Sequence, residues 1–544
     1  MKKVLLGLSL LSALVLGACS TNTSGDSSGD SSTEKLQVMT TFYPMYDFTK
    51  NIIGDEGDVH LLMPAGTDSH DYEPSAKDMA SIQDADVFVY NNENMEMWVP
   101  SITQSLEEGN VEVIKATEGM LLLPGSDDHD HGHSHGEDDY DHDHDEADTH
   151  NHDEDDYDHE HEEDGHDHGE DGHFHELDPH VWISPYRAIH QVESIRDQLI
   201  AAYPEKEVVF TTNAANLLSE LTALDQEYRD AFSQAKQTSF VTQHSAFGYL
   251  ALDYGLTQVP IAGLSPNEEP SPARLAELKD FVTEHGVQYI YFEANAKDSI
   301  ARTLASEANV ELEVLNPLES LTQEDIDAGV NYLSVMAENL TALRKTTDTE
   351  NPTEDDHDHV EEKEKTVYNG YFEDDAVQDR PLSDWAGEWR SVYPLLVNGT
   401  LDQVFDYKEK QSDSKTAEEY KEYYTVGYQT DVKEINITDD SMEFIFDDGT
   451  SVKSNYRYAG KEILNYEAGN RGVRFLFEAT DAESEAFKYV QFSDHSIEPT
   501  KSYHYHIYFG NESQEALIDE VDNWPTYYPA DLSDQEIAQE MLAH

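Results

Sequence analysis

Between Asp127 and His175 the chain reads DDHDHGHSHGEDDYDHDHDEADTHNHDEDDYDHEHEEDGHDHGEDGHFH, with almost nothing apolar, so no core can be built there. Any fold must be made on the two sides of this run. The segment holds fourteen of the 26 histidines: His129, His131, His133, His135, His142, His144, His150, His152, His159, His161, His166, His168, His173 and His175. Neutral imidazole is the commonest side-chain ligand for Zn, Cu, Ni and Fe(II), and the interleaved carboxylates concentrate divalent cations. The pattern predicts a solvated, low-affinity collector of metal ions inserted within a domain. A merely solubilising loop needs Asp and Glu but not alternating His.

Length and charge bound the rest. At 544 residues the chain has room for two to four domains, and 38% apolar content is enough for real cores. Lys+Arg 33 against Asp+Glu 114 leaves a formal net charge of -81. That balance repels nucleic acid and anionic headgroups while attracting cations, so no nucleic-acid partner is expected.

Lys2 and Lys3 precede an apolar run from Val4 to Leu16 that is too short to span a bilayer, followed by Leu16, Gly17, Ala18 and Cys19. This resembles a bacterial lipoprotein signal, which implies cleavage after residue 18, a lipid on Cys19, and a place on the extracellular face of the cell membrane. Cys19 is the single cysteine, which rules out an intrachain disulfide and a protein-derived multi-thiolate site. Residues 20–35, rich in Ser, Thr, Gly and Asp, read as a flexible tether. A second charged stretch, residues 346–365, reads as an interdomain linker.

Between tether and linker, short β-rich runs alternate with amphipathic ones. Leu36–Thr41, Val59–Leu62, Val87–Tyr90 and Val111–Lys115 read as strands, as do Ser239–Thr242, Thr257–Ala262, Tyr289–Phe292 and Glu311–Leu315. A long helical stretch from Pro185 to Gln234 separates four strands from four, which predicts two α/β lobes joined through a helix. Ligands of such folds sit outside the carboxyl ends of the strands. His70, His180, His244 and Glu319 all fall in loops or just past strand ends, and three imidazoles with one carboxylate form a closed four-coordinate set suited to Zn²⁺. Glu293 competes with Glu319 for the fourth position.

GTDSHDYEPS, LDPHVWISP, QHSAFGYLA and NPLESL resemble the four ligand motifs of the zinc-specific solute-binding proteins of ABC importers. The resemblance covers about residues 36–345. It implies a two-lobed α/β solute-binding fold with a rigid interlobe helix, Zn²⁺ in the cleft on His70, His180, His244 and Glu319, and delivery to an ABC permease. Trp98 and the helix from about Pro185 fit the same pattern. Manganese-binding relatives carry a carboxylate where His244 stands, so His244 argues for zinc.

After the linker come short aromatic strands, SMEFIF, VRFLFE, YVQFSD and YHYHIYF, which predict a small β-barrel with few helices. His504 and His506 stand two apart, hence on one face, with His495 nine residues before His504. Convergence would give a zinc site with an open position; solvated histidines on an amphipathic strand are the bland alternative. VYNGYFEDDAVQDRPLSDWAGEWRSVYPLL, GNRGVRFLFE, QFSDHSIEPTKSYHYHIYFGN and DNWPTYYP resemble the ZinT family over nearly all of residues 366–544. That implies a lipocalin-like barrel with Zn²⁺ on His495, His504 and His506. The whole chain is similar to the two-domain zinc lipoproteins of low-GC Gram-positive bacteria.

The expectation is therefore a monomeric zinc-capture protein, not an enzyme, holding one zinc in the cleft, one in the barrel and weaker ions on the loop. Two other classes are open. An open three-histidine zinc could activate water for hydrolysis or hydration, although no HExxH-type base accompanies it. A surface zinc buffer or adhesin is the other.

Overall fold

The structure, a computed structural model, describes residues 35–125, 177–349 and 365–543, apart from 68, 71, 267–269, 294–298, 413 and 467–468. Cys19, the fourteen collector histidines, the tether and nearly all of the linker lie outside the described residues.

Two four-stranded parallel sheets form the first part of the chain. In one, β1 (Leu36–Thr40), β2 (Gly57–Leu61), β3 (Val87–Tyr90) and β4 (Glu112–Lys115) lie in the order β2-β1-β3-β4. In the other, β5 (Ser239–Thr242), β6 (Thr257–Pro260), β7 (Tyr289–Phe292) and β8 (Glu311–Val314) repeat that order as β6-β5-β7-β8. Strand identities match the sequence reading, with no end displaced by more than two residues.

The Pro185–Gln234 stretch is not one helix. Tyr203-Pro204 breaks it into an 18-residue helix, Pro185–Ala202, and a 26-residue helix, Glu207–Phe232, because proline cannot continue the ladder of hydrogen bonds. The second helix ties the lobes together. Asn213 Nδ2 donates to Ile52 O of the first lobe at 3.0 Å, and Tyr228 Oη donates to Met336 O of the Tyr332–Thr347 helix at 2.7 Å. Leu217, Leu221, Leu224 and Tyr228 recur at helical spacing and are buried in a core that runs through both lobes.

The second part is a closed eight-stranded antiparallel barrel. Its strands are β9 (Gly387–Ser391), β10 (Val432–Ile437), β11 (Ser441–Phe446), β12 (Ser451–Asn465), β13 (Arg471–Ala479), β14 (Tyr489–Ser493), β15 (Tyr505–Gly510) and β16 (Thr526–Pro529). Trp385, Phe475, Phe492, Tyr505 and Ile507 fill its interior. The barrel carries more helix than its aromatic texture predicts. Helices Asp402–Gln411, Ala417–Tyr428 and Asp534–Ala543 pack outside it, against the first domain.

Candidate metal centres

The loops leaving β2, β5 and β8 and the turn before the Pro185–Ala202 helix bring four side chains to one point. His70 Nε2 lies 3.2 Å from His180 Nε2. Glu319 Oε1 lies 3.5, 3.6 and 3.3 Å from the Nε2 atoms of His70, His180 and His244. A tetrahedral ion with bonds of about 2.0–2.2 Å separates its ligand atoms by about 3.3–3.6 Å. The spacing is that of a zinc shell. Leu318, at φ 57, turns the chain so that Glu319 faces the group.

Burial makes the arrangement costly without a cation. His180 and His244 are fully buried and Glu319 is 6% exposed. His244 Nε2 and Glu319 Oε1 are buried with no hydrogen-bond partner, the condition a metal ion would relieve. Three of the four are also held from behind. His180 Nδ1 meets Asp178 Oδ1 at 2.8 Å, His244 Nδ1 meets Glu293 Oε1, and Ser69 Oγ donates to Glu319 Oε2 at 2.8 Å. Occupying Nδ1 leaves Nε2 facing the group.

These carboxylates also set the charge. Burial pulls the His244 pKa down, but Glu293 and Glu319 outweigh it and lift it to about 10. His180 is raised in the same way, burial opposing and Asp178 and Glu319 prevailing. Burial raises Glu319, yet His70, His180 and His244 hold it well below the usual carboxylate range. Glu293 stands behind His244, outside the group of four.

The barrel mouth gathers a second group. His495, at φ 64, follows β14; His506 lies on β15, paired with Ser493 and Thr526. His504 lies one residue before β15 rather than within it. The ring centroids are 5.7, 5.9 and 6.1 Å apart, and one ligand atom from each comes within 4.8 Å of the others. His495 is exposed while His504 is buried, so this group opens to solvent on one side. His506 Nδ1 lies 2.7 Å from Thr526 Oγ1, His504 stacks on Tyr528 at 5.2 Å and His495 on Tyr368 at 4.7 Å. Although one side of His495 is open to solvent, packing of protein around the rest of the ring, Tyr368 included, desolvates it and lowers its pKa more than Asp494 raises it.

Of the eight ligand candidates in the folded regions, seven fall into two groups, four and three, and Glu293 lies outside both. Asp178, Ser69, Thr526, Tyr368 and Tyr528 escaped the sequence reading. Asp178, two residues before His180 in LDPH, was the one with a visible signal.

Comparison with known proteins agrees with this division. The model of the ZnuA family, described as zinc-uptake complex component A, periplasmic, matches residues 38–346. That of ZinT (YodA), described as periplasmic lipocalin-like zinc-recruitment, matches residues 363–544. The zinc-binding lipoprotein AdcA of Streptococcus pneumoniae serotype 4 is 57% identical over all 544 residues of both chains. The high-affinity zinc uptake system protein ZnuA of Bacillus subtilis is 44% identical over 331 residues, 61% of this chain and 93% of that one. The crystal structure of Zn(II)-bound AdcA from Streptococcus pneumoniae superposes with a TM-score of 0.79 at 56% identity, covering 94% of this chain and 100% of that one. The chain therefore belongs to the ZnuA family of zinc-uptake solute-binding proteins and carries a ZinT domain after its two-lobed fold.

Proposed function

We propose that this protein captures zinc outside the cytoplasm and delivers it to an ABC permease, with His70, His180, His244 and Glu319 as the ligands of the transported ion. The observation that carries the reading is the sealed cleft group, whose 3.2–3.6 Å spacings suit tetrahedral Zn²⁺ and in which His244 Nε2 and Glu319 Oε1 are buried without a hydrogen-bond partner. His495, His504 and His506 take a second zinc at the barrel mouth, with the remaining position open to water. The hydrolytic reading has less support, since the barrel's family is described as zinc-recruiting.

The proposed domain division is signal peptide 1–18, tether 19–35, zinc solute-binding domain 36–345 with the insertion 127–175, linker 346–365 and ZinT domain 366–544; the family matches over 38–346 and 363–544 support its two main parts. Cys19 bears a lipid that anchors the chain, a reading supported by its lipobox and by the lipoprotein relative. The protein acts as a monomer, and its collector histidines bind further ions weakly.

Metal content and calorimetry of the purified chain test the assignment. Two tightly held zinc ions are expected, falling to one in His180→Ala and to one in His504→Ala. Undiminished stoichiometry in either variant refutes that site.

A further inference from the structure

The residue after His180 leaves the cleft and enters a different core. Val181 is fully buried in a cluster that combines Leu121 and Tyr249 of the two-lobed domain with Val404, Tyr407 and Ile537 of the ZinT domain. The segment carrying one cleft residue is therefore part of the seam between domains.

Polar contacts fasten both flanks of that segment. Upstream, Tyr407 Oη donates to Leu121 O at 2.7 Å, and Gln539 Nε2 donates to Leu122 O at 2.7 Å while its Oε1 accepts from Leu122 N at 2.8 Å. The grip passes inward through Leu123, whose carbonyl accepts from Asp178 N at 2.8 Å. Tyr249 Oη accepts from Leu123 N at 2.9 Å and donates to Asp178 O at 2.8 Å. Gly248 lets the Tyr249 helix come this close, since a Cβ there would lie 2.9 Å from Asp178 Oδ2. Asp178 is the residue that holds His180 Nδ1.

Downstream, the buried Asp253 carboxylate accepts from Ser184 Oγ at 2.7 Å and from Arg187 at 2.9 and 2.8 Å. Lys410 Nζ of the ZinT domain donates to the same carboxylate at 3.0 Å. The Arg187 guanidinium also lies 4.2 Å above the Tyr407 ring. Tyr407 and Lys410, one helical turn apart on Asp402–Gln411, thus hold the chain on either side of His180 without touching the cleft.

A ligand on a loosely held loop pays ordering entropy each time it closes on its ion, and one on a pinned segment does not. We propose that the ZinT domain is a brace for the zinc cleft, with Tyr407 and Lys410 as positioning residues that slow the escape of zinc from His180. The proposal rests on the cleft ligation assigned above. It gives the second domain a role besides holding a zinc of its own.

The test is zinc release from the full-length chain carrying Tyr407→Phe and Lys410→Met, followed by stopped-flow competition with a chelator. The cleft ion should leave about tenfold faster, the lower end of what losing an outer support costs a metal site, while the barrel ion leaves at the wild-type rate. An unchanged cleft rate, or equal acceleration at both sites, overturns the brace. If the double variant does not fold, Tyr407→Phe alone, which removes one hydroxyl and keeps the ring, is judged by the same two rates. A wild-type chain with no slowly released cleft zinc would refute the ligation instead.

Discussion

His244 has two ring nitrogens with two tasks, and both can be tested. Nε2 faces the group of four, where nitrogen favours zinc over manganese. His244→Glu should lower zinc affinity and improve relative Mn²⁺ binding in calorimetric titration; an unchanged preference refutes its role as ligand. Nδ1 faces Glu293, which fixes the ring. Glu293→Gln should weaken zinc binding by about 10–100-fold with stoichiometry retained. The same carboxylates set the pH response. A group whose pKa stands above the working pH must lose a proton before it can ligate, so zinc binding at pH 7 releases a proton from His244, raised to about 10. His495, lowered by the desolvation of its packed side, is already neutral there. Falling pH should thus weaken the cleft earlier and more steeply than the barrel, and from well above the pH of about 6 that an unperturbed histidine would suggest. Calorimetry in buffers of different ionisation enthalpy reads the protons directly. Proton-free binding at the cleft would contradict this ordering.

At the scale of elements, periodicity exposed what repeats and missed what depends on partners. The eight strands of the two lobes are short apolar runs bounded by turn residues, and each was legible to within two residues. The break at Pro204 was written in the sequence, but the continuous amphipathic pattern around it concealed two helices. Helices Asp402–Gln411 and Ala417–Tyr428 are rich in Tyr, Lys and Glu, and the apolar faces that they bury against the first domain cannot be told from strand-like texture by sequence alone. The histidine run stands apart from these elements. Pro124 and Leu177 pair in an antiparallel bridge, so the folded chain closes across the base of the insertion. Replacing residues 127–175 with a short turn should lower total zinc stoichiometry while leaving cleft affinity within about twofold, the noise expected for a surface loop. Loss of the cleft site on that deletion would mean that the insertion is structural.

For the whole molecule, charge links the collector to the sealed site. The seven residues that gather into the two groups were legible because short motifs surround them, whereas the outer supports were not, since Ser69, Thr526 and Tyr528 come to lie beside those groups only through strand pairing and loop closure. Charge needs no such folding to be read. The run from Asp127 to His175 holds 23 of the 114 acidic residues and neither Lys nor Arg, in a chain whose net charge is -81. A field of that sign raises the local concentration of cations and hence the rate at which Zn²⁺ meets its site, while the rate of leaving a buried cleft is governed by ligands within bonding distance. At 0.01 M salt the field reaches about 30 Å, and at 1 M about 3 Å. Zinc association, followed by stopped flow, should therefore slow by about tenfold between these salt concentrations with dissociation unchanged, the low end of electrostatic steering. The chain lacking residues 127–175 should show a shallower dependence, because it has lost acid without losing base. Equal slopes for the two chains would show that the histidine-acid run does not steer zinc, whatever it binds.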